Sequence, residues 1–195
     1  MSTSAIGLPV PAPLPERVYT PEDLLTMPDG FRFELIEGKL VERNMGAVAS
    51  QVAMKLMTRV GTYVEAQKLG RTFGSDCGYQ CFPNQPKQVR FADGSFVAKG
   101  RLPEERVPDG HMRIAPDLAV EVISPNDIAD EVEAKREEWL EAGVKLLWLI
   151  YPPIRSVRVY HVGGQCPTLG PNDELSGEDV LPGFTCKVAE LFVDG

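Results

Sequence analysis

Alternating apolar and polar positions predict a buried strand that contains a carboxylate. In segment 117–123, every second residue from Leu118 to Val122 is apolar and lines one face. Glu121 lies on the opposite face, between Ala119 and Ile123. An unpaired buried carboxylate is costly because it loses its hydration, so Glu121 requires a cation, a metal ion or a proton.

The helix predicted after this strand offers a cation for Glu121. With its N-cap at position 126 or 127, apolar residues recur at helical spacing from Ile128 until Gly143 ends the helix. Lys135 falls within this apolar stripe, so its ammonium group can point towards Glu121. The alternative is that Lys135 extends past the edge of the stripe to water. Acids such as Glu138 are assigned to the solvent face of the helix.

The remaining pattern predicts a single mixed α/β domain over residues 17–195, preceded by a proline-rich, flexible tail over residues 1–16. The predicted elements are a short helix capped by Thr20, a hairpin over 31–42, a helix over 47–69 stopped by Gly70, strands over 71–82 and 88–97, the unit 117–151, a strand over 156–162 and a short C-terminal strand and helical turn. The unit 117–151 is strand, helix, strand, which implies a parallel pair of strands.

Composition narrows the classes of protein and of chemistry. With 195 residues, 43% of them hydrophobic, the chain can build a core without disulfides. It has no apolar run long enough to span a membrane and no apolar signal core, so we expect a soluble, cytoplasmic protein. Cys77, Cys81, Cys166 and Cys186 are predicted to be buried free thiols. Two histidines leave little material for zinc sites or serine hydrolase chemistry, whereas metals with oxygen ligands remain open.

Charge argues in two directions about nucleic acids. The net charge of −8 counts against broad nonspecific binding, which depends on cations that neutralise phosphates. Basic residues nevertheless cluster in sequence before the Glu121 strand, where the alternative is an ordinary solvated loop. They are Lys87, Arg90, Lys99, Arg101, Arg106 and Arg113.

A second acid for a site at Glu121 has to come from a neighbouring strand. Asp117 precedes Glu121 by four strand residues, which separates their Cα atoms by about 13 Å. Asp117 is therefore assigned to the strand start, where it can form a turn hydrogen bond. Asp93, in the preceding predicted strand, is the preferred partner, with a simple bulge or turn at Asp93-Gly94 as the alternative.

Asp93, Glu121 and Lys135 together suit phosphodiester hydrolysis. Two carboxylates can bind Mg²⁺ or Mn²⁺, which polarises a phosphoryl group and activates water. A lysine beside the metal can orient that water and offset the charge of the phosphate.

At these residues the chain resembles the Uma-two family of restriction endonuclease-like proteins, a large bacterial group within the PD-(D/E)XK nuclease superfamily. The resemblance spans about residues 18–193 and rests on segments 33–38, 92–97, 116–125, 142–148 and 181–184 together with Lys135. It implies a restriction-endonuclease-like core in which helices flank a mixed central β-sheet, with an N-terminal β-hairpin extension. Two positions depart from the family pattern: Ala92 replaces the usual proline, and Ile123 replaces the lysine of the superfamily motif.

The resemblance also implies roles for individual residues. Asp93 and Glu121 would be metal ligands, Lys135 the displaced motif lysine, and Glu34 an accessory acid. Without the family, Glu34 would be interpreted as a solvent-facing strand residue.

The leading hypothesis is therefore a Mg²⁺-dependent endonuclease that acts on DNA, with RNA as an alternative substrate. We expect a homodimer, which suits double-strand cleavage, and no membrane partner. The competing hypothesis is a noncatalytic protein-binding or assembly module with a nuclease fold, and the net charge of −8 is its main support.

Overall fold

The computed structural model describes residues 17–43, 46–161, 164 and 166–192. Within these ranges the α-helices are α1 (Pro21–Thr26), α2 (Ala47–Gln67) and α3 (Ala129–Glu141). The strands are β1 (Phe33–Ile36), β2 (Lys39–Glu42), β3 (Gly70–Gly74), β4 (Gly78–Tyr79), β5 (Arg90–Phe91), β6 (Gly94–Ala98), β7 (Leu118–Val122), β8 (Leu146–Tyr151), β9 (Ser156–His161), β10 (Thr168–Leu169), β11 (Glu174–Ser176) and β12 (Thr185–Lys187). The predicted tail, residues 1–16, lies outside the described residues.

A six-stranded mixed sheet forms the centre of the described fold, in the order β10, β9, β8, β7, β6, β3. β7 and β8 are parallel, with Leu118 opposite Leu146 and Val122 opposite Ile150. The other neighbouring strands of this sheet are antiparallel. Because α3 connects β7 to β8, the predicted strand-helix-strand unit with a parallel pair is confirmed.

The two faces of the sheet support separate hydrophobic cores, as the alternation within β7 predicts. Leu118 and Val122 pack on the side of α2, whose buried residues include Val52, Leu56, Val60 and Val64. Ala119 packs on the other side with Trp139 of α3 and with Leu147. Glu121 is therefore directed to the α3 side of the sheet, since side chains two residues apart share a face.

The predicted N-terminal hairpin is confirmed, and it packs against the segment just before β5. The turn between β1 and β2 places Glu37 and Gly38 at positive φ, 50° and 78°. Leu35 and Val89 exchange two backbone hydrogen bonds, at 2.9 and 3.0 Å. This pairing brings Glu34 next to Arg90, so the hairpin contributes an acidic side chain to the region around Glu121.

α3 begins later than the sequence predicts. The predicted N-cap at Asn126 or Asp127 is wrong, because Ile128 caps a helix that starts at Ala129. The carboxylate of Asp127 instead accepts a hydrogen bond from the backbone N–H of Ser124 at 2.7 Å. Ile128 is 58% exposed and does not join the apolar stripe.

Other predicted boundaries also differ. The strands predicted over 71–82 and 88–97 are each interrupted, the first after Gly74 and the second at Ala92 and Asp93. α2 ends at Gln67, before the C-cap Lys68, which adopts a left-handed conformation with φ 56° and ψ 39°, whereas Gly70 begins β3.

The cysteines and the helices bear on two expectations from composition. All four cysteines are free, as predicted, although Cys166 is exposed and Cys77 and Cys81 are only half-buried. Burial raises the pKa of Cys81 to about 12 and that of Cys186 to about 11, so these thiols resist ionisation. None of the described helices is both long and apolar enough to cross a membrane.

Candidate active site

Glu121 is the centre of a polar cluster between β7 and α3. Its side chain is buried, with 7% of the residue exposed, and both carboxylate oxygens have partners. The indole Nε1 of Trp139 donates to Oε1 at 2.7 Å. The ammonium of Lys135 donates to Oε2 at 3.0 Å. The predicted approach of Lys135 to Glu121 is therefore present in the structure.

Asp93 precedes β6 and lies beside Glu121 of the neighbouring strand β7. Gly94 pairs with Val120, so the next position along the antiparallel ladder sets Asp93 beside Glu121. The backbone N–H of Asp93 donates to the carbonyl of Val120 at 2.9 Å, and Val122 donates to Oδ2 of Asp93 at 2.7 Å. The interruption of the strand at Asp93 thus directs its carboxylate towards the end of β7 that carries Glu121.

Lys135 and Glu34 connect the helix to the hairpin. The ammonium of Lys135 lies 3.0 Å from Oε1 of Glu34 and donates to the carbonyl of Phe91 at 2.9 Å. Glu34 also accepts from the backbone N–H of Phe91 at 2.9 Å and pairs with Arg90 at 2.8 Å. The interpretation of Glu34 as a solvent-facing residue is wrong, because the hairpin packs it against β5 and leaves it 7% exposed.

Arg90 and Glu138 form an outer layer that the sequence analysis missed. Oε2 of Glu138 lies 2.7 Å from two nitrogens of Arg90, Nε and Nη2, and also accepts from Nε2 of Gln88 at 2.7 Å. The assignment of Glu138 to the solvent face is therefore wrong. Its spacing of three residues from Lys135 was the signal, since residues at that spacing share a helical face.

The two central carboxylates resist ionisation. Burial raises the pKa of Glu121 to about 7; Asp93 and Glu34 add to this shift, and Lys135 opposes it. Burial likewise raises the pKa of Asp93, against the opposing charge of Lys135 and the hydrogen bond from Val122. If Asp93, Glu121 and Glu34 were all ionised, the single positive charge of Lys135 would not balance their negative charges.

Lys135 and Glu34 keep their charges. Burial by itself would lower the pKa of Lys135, but Glu121, Glu34 and Asp93 together raise it above its ordinary value. Burial opposes ionisation of Glu34, yet Lys135 and Arg90 lower its pKa below the usual value. The ammonium of Lys135 is thus a fixed cation and donor, and its pairing with Glu34 holds it in place.

The donor set of Asp93 and Glu121 fits a hard divalent cation that keeps water ligands. Within the described ranges, no three His, Cys, Asp or Glu side chains converge as a group that could hold a metal ion. Mg²⁺ is commonly bound through only one or two carboxylates while it retains several waters. Desolvation raises the pKa values of both carboxylates, and a nearby cation would offset this effect because it favours their charged forms.

Asp117 stabilises the start of β7 and lies apart from the Glu121 cluster. The prediction that it forms a turn hydrogen bond is wrong. It is buried just before β7, where its Oδ2 accepts from the backbone N–H of Ala98 at 2.8 Å. Arg101 lies 2.9 Å from Oδ2 and Lys145 lies 2.8 Å from Oδ1. These contacts tie the start of β7 to β6 and to the loop before β8.

The basic cluster of the sequence analysis divides into paired and unpaired residues. Arg90 is buried with Glu34 and Glu138, Arg101 pairs with Asp117, and Arg106 pairs loosely with Glu104 at 3.8 Å. The remaining members are exposed and form no ion pair with any residue that the structure describes. They are Lys87, Lys99 and Arg113.

Comparisons with known proteins place this geometry in context. The Uma2 (Uma-two) family model, described as "Putative restriction endonuclease", matches residues 21–189. A crystal structure from Anabaena variabilis, described as "a putative nuclease belonging to DUF820", has a TM-score of 0.75 and 23% sequence identity. The alignment covers 89% of this chain and 97% of that one, and it confirms the predicted fold class. No curated protein sequence matches the chain.

Proposed function

The chain belongs to the Uma2 family, and on that premise we propose that it is a nuclease that uses Mg²⁺ or Mn²⁺ to hydrolyse phosphodiester bonds in DNA. The observation that carries the proposal is a pair of neighbouring carboxylates, the buried Glu121 on β7 and the half-buried Asp93 just before β6, with the ammonium of Lys135 bonded to Glu121. Cation-dependent phosphodiester hydrolysis uses carboxylates for the metal and a cation for the phosphate.

In this proposal each side chain of the site has a distinct role. Asp93 and Glu121 would hold the cation, which when bound supplies Lewis-acid activation of water and of the phosphoryl group. Lys135 remains protonated, so it donates to the attacking water or to a phosphate oxygen and does not act as a base. Glu34 stays ionised and holds the ammonium of Lys135 against the carbonyl of Phe91.

Release of Lys135 from Glu121 belongs to the same proposal. Lys135 contacts Glu121, Glu34 and the Phe91 carbonyl, and it retains the last two partners if the first is exchanged for substrate. The lysine can therefore turn towards a phosphate without losing its position on α3.

The test compares Glu121→Gln with Asp117→Asn, which replaces another buried acid of the same segment. Plasmid, linear duplex, single-stranded DNA and RNA are each incubated with Mg²⁺ or Mn²⁺. We expect wild type and Asp117→Asn to cleave DNA and Glu121→Gln to lose more than about 100-fold in rate, because a lost ligand costs at least as much as a lost outer partner. Chelation of the metal should stop cleavage. If only RNA were cleaved, the proposed substrate would be wrong, but the proposed roles of the site residues would stand.

The second candidate function is a noncatalytic assembly module, and the net charge of −8 favours it. Calorimetric titration with Mn²⁺ separates the two candidates. A nuclease site predicts measurable Mn²⁺ binding that Asp93→Asn removes, whereas a module that only binds proteins has no reason to bind the metal there. If wild type neither binds Mn²⁺ nor cleaves any of the four substrates, the nuclease proposal is wrong.

A further inference from the structure

Among the described residues, the side chain of Trp139 makes one polar contact, and that contact is to Glu121. The indole is fully buried among apolar and aromatic side chains, with Tyr79 and Phe82 at ring-centroid distances of 5.6 and 5.3 Å. Its Nε1 donates to Oε1 of Glu121 at 2.7 Å. An indole has a single N–H donor, so this bond uses the entire hydrogen-bonding capacity of the side chain.

Trp148 provides an internal comparison. It is also fully buried, on β8, but its side chain faces the α2 core. Its Nε1 is buried without a hydrogen-bond partner among the described residues. Burial of an indole in this protein therefore does not depend on a partner for its N–H, so the bond from Trp139 to Glu121 is not a general requirement of packing.

The two oxygens of Glu121 have different kinds of partner. Oε1 is bonded to a rigid, fully buried ring, whereas Oε2 is bonded to the ammonium at the end of the long Lys135 side chain. Lys135 has two further partners and is more exposed, with 21% of its side chain accessible against 9% for Glu121. The bond at Oε1 is therefore the persistent one and that at Oε2 the exchangeable one.

We propose that Trp139 is a positioning residue that fixes the rotation of the Glu121 carboxylate, so that Oε2 is the oxygen available to a divalent cation. This inference rests on the proposed function of the site. Without the indole N–H, rotation of the carboxylate is restrained on one side only, by Lys135. Partners of metal ligands typically change metal affinity by about 10-fold to 100-fold when they are removed.

The experiment compares Trp139→Phe with Trp148→Phe in the full chain. Phenylalanine keeps an aromatic ring in the core and removes the N–H, and circular dichroism verifies folding. Titration calorimetry with Mn²⁺ alone should show affinity about 10-fold to 100-fold weaker for Trp139→Phe and nearly unchanged for Trp148→Phe. The cleavage rate of Trp139→Phe should recover towards that of wild type as Mn²⁺ is raised.

A second measurement decides the role if Trp139→Phe does not fold. The chain has two tryptophans, so wild type gives two indole N–H resonances, which the spectrum of Trp148→Phe assigns. Saturating Mg²⁺ should shift the Trp139 resonance and leave that of Trp148 in place.

Two outcomes would overturn the role in distinguishable ways. A folded Trp139→Phe that binds Mn²⁺ as tightly as wild type, or a Trp139 resonance that Mg²⁺ does not move while wild type cleaves DNA, removes the positioning role alone. Wild type that neither binds Mn²⁺ nor cleaves nucleic acid removes the proposed function and this role together.

Discussion

At the scale of single residues, two buried acids of one segment have opposite environments. Asp117 has two cations and a backbone N–H directed at its carboxylate, and these lower its pKa in spite of burial. Glu121, four residues further on, shares one lysine with two other acids, and its pKa is raised to about 7. An acid with surplus donors is a structural anchor, whereas acids with too few donors can accept a metal ion.

Asp117→Asn tests the structural half of this distinction. We expect the free energy of unfolding to fall by about 2 kcal/mol at neutral pH, since a buried ion pair loses its charge while Arg101 and Lys145 keep partial access to water. The folded-state pKa of Asp117 is lowered, so its ionic contribution is complete above the unfolded-state pKa and is lost as pH falls through the folded-state pKa. Urea unfolding at several pH values measures the difference.

The difference between Asp117→Asn and wild type should therefore shrink below about pH 4. Asp179→Asn, at an exposed acid, is the matched control and should unfold like wild type. A loss of Mn²⁺ binding in folded Asp117→Asn would contradict the structural assignment.

At the scale of elements, α3 supplies polar contacts to both layers of the site. Glu138 and Trp139 follow Lys135 at spacings of three and four residues, so both side chains neighbour that of Lys135 on the helix surface. Lys135 and Trp139 reach Glu121, while Glu138 reaches Arg90, which in turn pairs with Glu34. Displacement of this helix would therefore disturb the contacts of Glu121 and Glu34 together.

Glu138→Gln tests the attachment of α3 to β5. The substitution removes the charge opposite Arg90, whose side chain is 8% exposed, and leaves Glu34 as its remaining carboxylate partner. We expect the free energy of unfolding to fall by about 1 to 3 kcal/mol. Glu137→Gln changes a neighbouring exposed acid and should have little effect. Equal stability of the two variants in urea unfolding would contradict this role for the Glu138 contact.

Local patterns predicted which elements exist better than where they begin or end. α2 follows from its helical periodicity and β7 from its alternation, whereas β8 follows from a continuous apolar run that is buried on both faces. The start of α3 was missed because Asp127 bonds to the backbone of Ser124, and the sequence does not distinguish that turn from a helix cap. The burial of Glu34 could not be predicted from its strand alone, since its partner Arg90 lies 56 residues away in the sequence. Only the family resemblance suggested that Glu34 belongs to the site.

At the scale of the whole molecule, the net negative charge limits how strongly the chain can bind the DNA substrate proposed above. Three of the six clustered basic residues are paired with acids within the fold. Lys87, Lys99 and Arg113 are exposed, which leaves about three cations of this cluster for phosphates. Each neutralised phosphate contributes about −0.9 to the slope of log affinity against log salt concentration.

We therefore expect weak, modestly salt-dependent DNA binding, with a slope no steeper than about −3. Fluorescence anisotropy of a labelled duplex with Glu121→Gln, in metal-free buffer over a range of KCl concentrations, measures this slope without cleavage. Lys99→Ala should make it shallower by about 0.9 if that residue contacts a phosphate. Lys145→Ala, which removes a cation already paired with Asp117, should leave the slope unchanged. A much steeper slope would mean that cations outside this cluster bind the DNA and that the net charge of −8 conceals a separate basic surface.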